Sequence, residues 1–289
     1  MSDLLHQFIS GYHQVVRTLR KEVLDATPAQ WRLAADTLAR MYVTPRHLQV
    51  ERMDWQGMPV ETITSAACAK DAAPIVWVHG GGFAFGSPRT HRAAAAALCK
   101  TTERPVWLVD YPLAPEHPFP AALDGLSGIH HPVPLDIVGD SAGGNLALAW
   151  ALRRKRGDRI LLLSPWLDLR VDGPSSQRNA NAHSAFDNQD LREYAGLYLA
   201  GQSPTHPECS PLLADESAFG ALGAVFIESS ASELLHGDAE ALSHRLHALG
   251  LTVEHHVEHE AHHGWQLFPD VLPEAKRSLS RMHDFLAQP

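Results

Sequence analysis

Residues 135–152 decide the fold, because the stretch LDIVGDSAGGNLALAWAL reads as a strand, a tight turn and a helix. The turn contains GDSAG at residues 139–143, which is a G-x-S-x-G motif. A sharp strand-to-helix turn holds its serine in a strained conformation and needs small flanking residues, since larger side chains would collide. The following helix points free N–H groups and its positive dipole end at developing negative charge. The stretch therefore predicts that Ser141 projects from the carboxyl edge of a sheet.

The rest of the chain repeats this alternation of apolar runs and helical stretches. Runs with two apolar faces are typical of buried parallel strands, and they occur as PIVWVHG (74–80), PVWLVDY (105–111), LDIVGD (135–140), RILLLSP (159–165) and AVFIES (224–229). Helices fit between them near 90–101, 120–130, 141–156, 187–200, 238–249 and 272–287. Residues 47–55 and 58–65 alternate like antiparallel strands. We predict an α/β fold in which helices cover both faces of a mostly parallel sheet.

Two helices are predicted before the sheet begins. Apolar residues recur at helical spacing over residues 4–19. A second helix begins after Thr27, where Pro28 suits the first turn and Gln30 completes a capping box. We expect it to end near Tyr42, because Pro45 disfavours helix just before it.

Composition and charge limit the classes of partner and the cellular compartment that we expect for this protein. The 289 residues suffice for one large domain or two small ones. The net charge of −9 and the lack of a long basic run argue against nucleic acid. We find no signal peptide and no apolar run of the roughly 20 residues that span a bilayer. Three widely spaced cysteines form no disulfide framework or zinc-ligand pair, which favours a reducing, cytoplasmic setting.

A second glycine-rich segment, VWVHGGGFAFGS at residues 76–87, follows another core strand. His79 and three successive glycines give a backbone that can approach a reaction centre and aim two N–H groups at an oxyanion. A flexible turn and a phosphate-binding loop are the alternatives. The phosphate loop fails, because neither G-x-G-x-x-G nor a Walker lysine is present.

Three motifs in order carry a family resemblance: HGGG at 79–82, DYPLAPEHPFPAALDG at 110–125 and GDSAGG at 139–144. From about residue 74 onward the chain resembles the hormone-sensitive-lipase-like branch of the α/β-hydrolases, the bacterial carboxylesterases of family IV. The resemblance implies an α/β-hydrolase fold with an eight-stranded, mostly parallel sheet. It also implies a small helical cap from residues 1–45, joined by residues near 170–205, over a catalytic domain at 46–289.

The resemblance also assigns roles to particular residues. Ser141 is the implied nucleophile, and Gly81, Gly82 and Ala142 are the implied donors of oxyanion N–H groups. The proline-rich motif is expected to brace the oxyanion loop rather than react, through Asp110, Tyr111, Glu116 and His117. Asp140 is expected to orient backbone.

The histidine-rich segment 251–265, LTVEHHVEHEAHHGW, has two interpretations. It contains H-E-x-x-H at residues 259–263, but a zinc site of that type needs a helix. Apolar and polar residues alternate before it, Gly264 and Pro269 discourage a helix, and no third ligand motif follows. The family pattern of histidine, glycine and aromatic residue makes His263 the catalytic base, with His262 as the alternative.

The carboxylate of the triad is expected between that histidine and the nucleophile. Alignment of the segment 224–242 with the family places Glu233 there, 30 residues before His263. Glutamate is chemically allowed in this role, although the family usually has aspartate. Asp238 is the rival, expected instead to cap the next helix, and Glu228 lies too early.

The predicted activity is a serine carboxylesterase that cleaves short- to medium-chain esters through an acyl-enzyme, without metal or organic cofactor. An apolar substrate pocket is expected from Phe83, Phe85, Trp166 and Leu167, with burial in the core as the alternative. The same machinery could serve lactones, carbamates or amides, and receptors related to the family bind ligands without catalysis. The expected partner is a small ester, without nucleic acid or membrane. Dimers through an edge strand occur in the family, so a homodimer is left open.

Overall fold

A computed structural model describes residues 27–40, 42, 44–69, 71–170 and 186–288. The helix predicted over residues 4–19 and much of the second cap segment fall outside these residues. Among the described residues, no helix combines the length and apolar character needed to cross a membrane.

The centre of the molecule is an eight-stranded sheet with the order β1-β2-β4-β3-β5-β6-β7-β8. The strands are β1 Leu48–Trp55, β2 Met58–Ser65, β3 Ile75–Val78, β4 Val106–Val109, β5 Asp136–Asp140, β6 Arg159–Leu163, β7 Val225–Ser230 and β8 Val253–Glu258. The first two strands pair antiparallel, β2 joins β4 antiparallel, and every other pair is parallel. The mostly parallel sheet is confirmed, and its parallel strands end at one edge.

The described helices cover both faces of this sheet. They are α1 Pro28–Ala39, α2 Pro88–Thr102, α3 Ala121–Ser127, α4 Ala142–Arg154, α5 Asn188–Leu199, α6 Glu216–Phe219, α7 His236–Ala248 and α8 Pro273–Leu286, with short 3₁₀ turns at Pro211–Leu213 and Trp265–Leu267. Each predicted core helix exists within a few residues of its expected bounds. The short α3 reflects the short segment before the nucleophile turn.

Side chains along each strand point alternately to the two faces of the sheet, and each face has its own hydrophobic core. In β3, Val76 and Val78 face one core with α4 and α7, while Ile75 and Trp77 face another with α2 and α8. Successive strand side chains point to opposite faces, so a strand that is apolar at every position must be covered twice. Burial of all four β3 residues therefore explains the helices on both faces.

Helix α1 attaches to this body by polar contacts. Thr27 and Gln30 form the predicted capping box, but the helix ends at Ala39, three residues before Tyr42. No residue of α1 is buried. Instead, Arg32 donates to the carbonyl of Ala84 at 2.7 Å, and it also reaches the exposed Glu116 at 2.7 Å. The helix lies beside the glycine-rich loop without contributing to either core.

Candidate active site

Ser141 stands between β5 and α4 with φ 53° and ψ −121°, a left-handed conformation that costs energy for a residue with a side chain. Its N–H donates to the carbonyl of Leu163 at 2.9 Å, and its carbonyl accepts from Trp166 N–H at 3.1 Å. A Cβ at Gly139 would collide with the carbonyl of Gly143. The turn is therefore held from several sides, and Ser141 stays partly exposed at the sheet edge.

The loop after β3 bends back beside this serine. Gly81 has φ 121° and Gly82 has φ 56°, conformations that favour glycine. The Gly81 carbonyl accepts from the N–H groups of Ala84 and Phe85 at 3.0 and 2.9 Å. A Cβ on Gly82 would lie 2.9 Å from the ring of Tyr194 on α5. The loop is thus packed tightly enough that its glycines cannot be exchanged without a shift.

Three backbone donors near Ser141 have no acceptor among the described residues. These are the N–H groups of Gly81, Gly82 and Ala142. Ala142 is the first residue of α4, where helix geometry leaves N–H groups unpaired. Unpaired donors at a helix start attract negative charge, because the helix dipole is positive there. All three predicted oxyanion donors are therefore available.

A buried network fixes the loop from behind. Asp140 accepts hydrogen bonds from Gly80 N–H at 3.0 Å, Trp77 Nε1 at 2.9 Å and His91 Nε2 at 3.1 Å. Burial alone would raise the Asp140 pKa, but His91 and the indole donor outweigh it, so this pKa lies below its ordinary value. The expectation that Asp140 orients backbone agrees with these bonds. His91 was not predicted from the sequence, where its only signal is its place in the first turn of α2.

His79 supports the same loop as a neutral ring. Burial, helped by the neighbouring His91, lowers the pKa of His79 to about 3. Its Nδ1 lies 2.8 Å from the Gly80 carbonyl and donates to it, and its ring stacks on Tyr111 at 4.3 Å. Tyr111 Oη donates to the His79 carbonyl at 2.7 Å. Of the four expected bracing residues, Tyr111 therefore contacts the loop directly, whereas Glu116 acts through Arg32.

The two predicted partners of the serine, Glu233 and His263, meet in the loops that follow β7 and β8. His263 Nδ1 lies 2.7 Å from Glu233 Oε2, while Glu233 Oε1 accepts from Ser230 N–H at 2.7 Å. The Glu233 side chain is 2% exposed and that of His263 is 12% exposed. The ring of Phe186 meets the imidazole edge to face, with centroids 4.7 Å apart. The imidazole is thus held by a buried carboxylate and an aromatic ring.

The rival carboxylates have other partners. Asp238 accepts from the N–H groups of Leu167 and Asp168 at 2.8 and 3.0 Å. It occupies the third position of α7, whose N-cap is Leu235, so the expectation that Asp238 caps this helix was wrong. Glu228 is buried in β7, bonded to Ser278 and Arg281. Asp238 therefore joins α7 to the backbone of residues 167–168, and Glu228 joins β7 to α8.

The H-E-x-x-H string does not form a zinc-binding helix. Residues 253–258 are the strand β8, and residues 259–264 that follow it are not helical. Within the described ranges, no group of three or more His, Cys, Asp or Glu side chains has the arrangement of a metal site. The predicted strand and loop are confirmed.

Ser141 and His263 share the carboxyl edge of the sheet, since β5 and β8 run parallel within one sheet. In the described residues, no hydrogen bond within 3.5 Å joins the serine hydroxyl to the imidazole. Catalytic hydrogen bonds are often long in an enzyme without substrate and tighten when the substrate binds. The hydrogen bond between the His263 imidazole and the Glu233 carboxylate is formed in this structure.

Three of the four expected pocket residues lie in the core. Phe83 is 1% exposed, Trp166 is 2% exposed and Leu167 is fully buried. Phe83 stacks on Tyr198 at 3.9 Å and contacts Trp166 at 5.6 Å. Phe85 is partly exposed and lies 5.6 Å from the ring of Tyr194. The rings of Phe83, Tyr198 and Trp166 therefore belong to the core beside the glycine-rich loop, and Phe85 is the partly exposed member of the expected set.

Comparisons with known proteins agree with this arrangement. A family model described as the alpha/beta hydrolase fold matches residues 75–267. An acetyl-hydrolase of Streptomyces hygroscopicus is 33% identical over 231 residues, which cover 75% of this chain and 76% of that protein. An esterase of Acinetobacter venetianus is 30% identical over 276 residues, covering 91% and 89% of the two chains.

Solved structures extend the likeness to nearly the whole chain. A crystal structure of an esterase from the bacterial hormone-sensitive lipase family has a TM-score of 0.86 at 30% identity, covering 97% of this chain and 96% of that one. A hormone-sensitive lipase from a metagenome library has a TM-score of 0.87 at 26% identity, covering 98% and 97%. The strand-turn-helix at Ser141, the glycine loop and these relatives lead to one conclusion. The chain belongs to the hormone-sensitive-lipase-like, family IV carboxylesterases of the α/β-hydrolase superfamily.

Proposed function

We propose that this carboxylesterase acts through Ser141 as nucleophile, His263 as general base and Glu233 as the carboxylate that orients the base. The observation that carries the proposal is the 2.7 Å contact between His263 Nδ1 and the buried Glu233. A carboxylate at Nδ1 fixes the tautomer in which Nε2 is free to accept a proton, and it stabilises the imidazolium that forms.

The reaction follows from this tautomer. His263 Nε2 removes the proton of Ser141 Oγ, which attacks the carbonyl carbon of the ester. The imidazolium then protonates the leaving alcohol, and an acyl-serine remains. Water, deprotonated by the same nitrogen, attacks the acyl-serine and releases the acid. Because each step uses the same proton carrier, no metal or organic cofactor is required.

The tetrahedral oxyanion formed in both halves of the reaction needs donors that are already in place. The N–H groups of Gly81, Gly82 and Ala142 have no other acceptor among the described residues and border the serine turn. Preorganised donors stabilise the transition state without the cost of reorganising solvent. We assign these three groups to the oxyanion hole.

The substrates we infer are short- to medium-chain carboxylic esters, with the short end preferred. The stacked rings of Phe83 and Tyr198 leave little free space behind the oxyanion loop. Tyr194 lies over Gly82 and contacts Phe85, which restricts the open side as well. The similarity to a protein named acetyl-hydrolase agrees with a small acyl group.

The test uses p-nitrophenyl esters from acetate to laurate. We expect kcat/KM to fall along this series and Ser141→Ala to lose nearly all turnover. A serine-directed phosphonate should add to the peptide that contains Ser141, and a chelator should leave the rate unchanged. Turnover by Ser141→Ala at the wild-type rate, or a phosphonate adduct at another residue, would overturn the proposal.

The proposal also covers the cellular compartment, which we infer to be the cytoplasm, and assembly into a homodimer. The three cysteines are free thiols, which suits a reducing, cytoplasmic setting. Strand β8 is the outer strand on its side of the sheet, and an edge strand offers unpaired backbone groups to a second copy. Light scattering on the purified chain would distinguish a homodimer from a monomer.

A further inference from the structure

Two of the three cysteines meet although they are far apart in the sequence. Cys68 lies in the turn after β2, and Cys99 lies in the last part of α2. Their sulfur atoms are 3.7 Å apart, which is van der Waals contact. Cys68 is partly exposed, whereas Cys99 is buried, so a small reagent in solvent can reach one member of the pair. The fold therefore creates a thiol pair that spacing along the chain does not reveal.

The surroundings hold Cys68 against its neighbour. Its sulfur accepts from the N–H of Ser65 at 3.4 Å and lies 3.5 Å from the Ser65 hydroxyl. These contacts hold the Cys68 sulfur beside Cys99, and the partial exposure of Cys68 leaves it accessible to a small oxidant. The third thiol, Cys209, is buried in the core on the opposite face of the sheet and lies apart from this pair.

We propose that Cys68 and Cys99 form a reversible intramolecular disulfide when the enzyme meets a peroxide. The Cys68 thiol first releases its proton, and the thiolate attacks one peroxide oxygen. The O–O bond breaks, a sulfenic acid forms, and the departing hydroxide takes up a proton to give water. Cys99 sulfur then attacks the sulfenic sulfur and loses its proton to the departing hydroxide, which leaves as a second water. Two thiols are oxidised by two electrons, and one peroxide is reduced to two waters.

The order of attack follows from burial. Burial, together with the nearby Cys68, raises the pKa of Cys99 to about 12, so Cys99 is a poor first nucleophile. It acts as the resolving thiol, because the hydroxide released from the sulfenic acid can take its proton. A dithiol reductant reverses the reaction by exchange through a mixed disulfide.

The bond would link the connection after β2 to α2. The same helix carries His91, which contacts Asp140 behind the oxyanion loop. A covalent link restricts the unfolded chain and keeps the helix against the sheet. We therefore expect the oxidised enzyme to unfold about 5 °C higher than the reduced enzyme, with kcat/KM on p-nitrophenyl acetate unchanged at 25 °C.

The experiment treats the full chain with hydrogen peroxide, then counts free thiols and maps tryptic peptides by mass. We expect the three thiols to fall to one and a linked peptide to join residues 53–70 with residues 93–100. Its mass should be about 2 Da below the sum of the two parts. Dithiothreitol should restore three thiols and the lower melting temperature.

Matched variants separate this bond from other oxidation. Cys209→Ala should still form the link and lose both remaining thiols, whereas Cys68→Ser and Cys99→Ala should show no rise in melting temperature on oxidation. A product about 32 Da heavier at Cys68, the mark of a sulfinic acid, would overturn the proposal. So would a disulfide between two chains, or three thiols that survive the peroxide.

Discussion

The two halves of the proposed active site are held by different means. The oxyanion half rests on glycines that cannot bear a side chain and on a buried network around Asp140. The base half depends on one carboxylate, Glu233, and on the edge of one ring, Phe186. Close backbone packing holds the first half, whereas a side-chain hydrogen bond and a ring contact orient the imidazole of the second. Substitutions should therefore damage the first half through packing and the second through single interactions.

Among the substitutions that compare the two halves, the largest effect is expected at Glu233, the only carboxylate bonded to His263 among the described contacts. Glu233→Gln removes the charge that stabilises the imidazolium and favours the wrong tautomer, so kcat should fall by roughly 10³–10⁴. The measurement is kcat on p-nitrophenyl acetate at pH 8, with circular dichroism to verify the fold.

Asp238→Asn is the matched control for this carboxylate. Asp238 holds the backbone of Leu167 and Asp168, so its variant should lose about 1–3 kcal/mol of stability with kcat within a few-fold of wild type. If Asp238→Asn were the more damaging change to kcat, the assignment of Glu233 as the triad acid would be wrong.

The oxyanion half is tested by Gly82→Ala. The new Cβ would meet the ring of Tyr194 at 2.9 Å, and the left-handed φ is unfavourable for alanine. A displaced N–H at an oxyanion hole costs about 10²–10³ in kcat. Gly57→Ala is the control, because Gly57 has φ 91° but no atom within 4 Å of its added Cβ.

The double variant Gly82→Ala, Tyr194→Ala sharpens this result. If the ring is the obstacle, removal of the ring should recover part of the lost kcat. Equal losses of kcat in Gly57→Ala and Gly82→Ala would show the opposite. Alanine at a positive φ would then explain the effect, without contact between the new Cβ and Tyr194 of α5.

The oxyanion half also gives the stability of the fold a pH dependence. His79 has a folded pKa of about 3, below its unfolded value of 6.5. The unfolded chain therefore binds the extra proton first, and stability falls as pH drops from 6.5 towards 3. The loss is about 1.4 kcal/mol per pH unit in that window. Asp140, whose pKa is lowered in the folded state, adds a further loss below pH 3.8.

Urea unfolding at pH 7, 6, 5 and 4 would measure this slope. His79→Gln keeps a donor for the Gly80 carbonyl and does not titrate, so its stability should vary less over the same range. A wild-type stability that stays level between pH 6.5 and 4 would contradict the neutral, buried state of His79.

The smallest effect is expected at Phe186. Phe186→Leu removes the aromatic edge from the imidazole, which is worth about 0.5–1.5 kcal/mol, so kcat should fall a few-fold. Phe186→Tyr keeps the ring and should restore kcat on p-nitrophenyl acetate; identical kcat values for the two variants would remove any role of the ring.

The features that could be predicted are those that depend on the succession of residue types along a short stretch of sequence. The G-x-S-x-G turn, the glycine loop and the apolar strands each need a particular succession of residue types, and each lies where it was expected. The distinction between Glu233 and Asp238 required the family pattern, because both carboxylates follow β7 within a few residues. The structure then separated them by their partners.

Other features depend on packing between distant segments, and no local pattern indicates them. His91 reaches Asp140 only because α2 lies against the glycine loop. Arg32 finds the Ala84 carbonyl across 52 residues of sequence. Phe83 and Trp166 were expected to line a pocket or the core, and that choice depended on Tyr198, a residue of α5 that stacks on Phe83.

Helix α5 has a consequence for how substrates are selected. Phe186, just before this helix, contacts the ring of His263, and Tyr194 within the helix packs on Gly82. The helix and the residue before it therefore contact both halves of the proposed active site. An ester too large for the space between these contacts would displace the helix and weaken both contacts together. Selection of substrates by size would then lower kcat as well as raise KM.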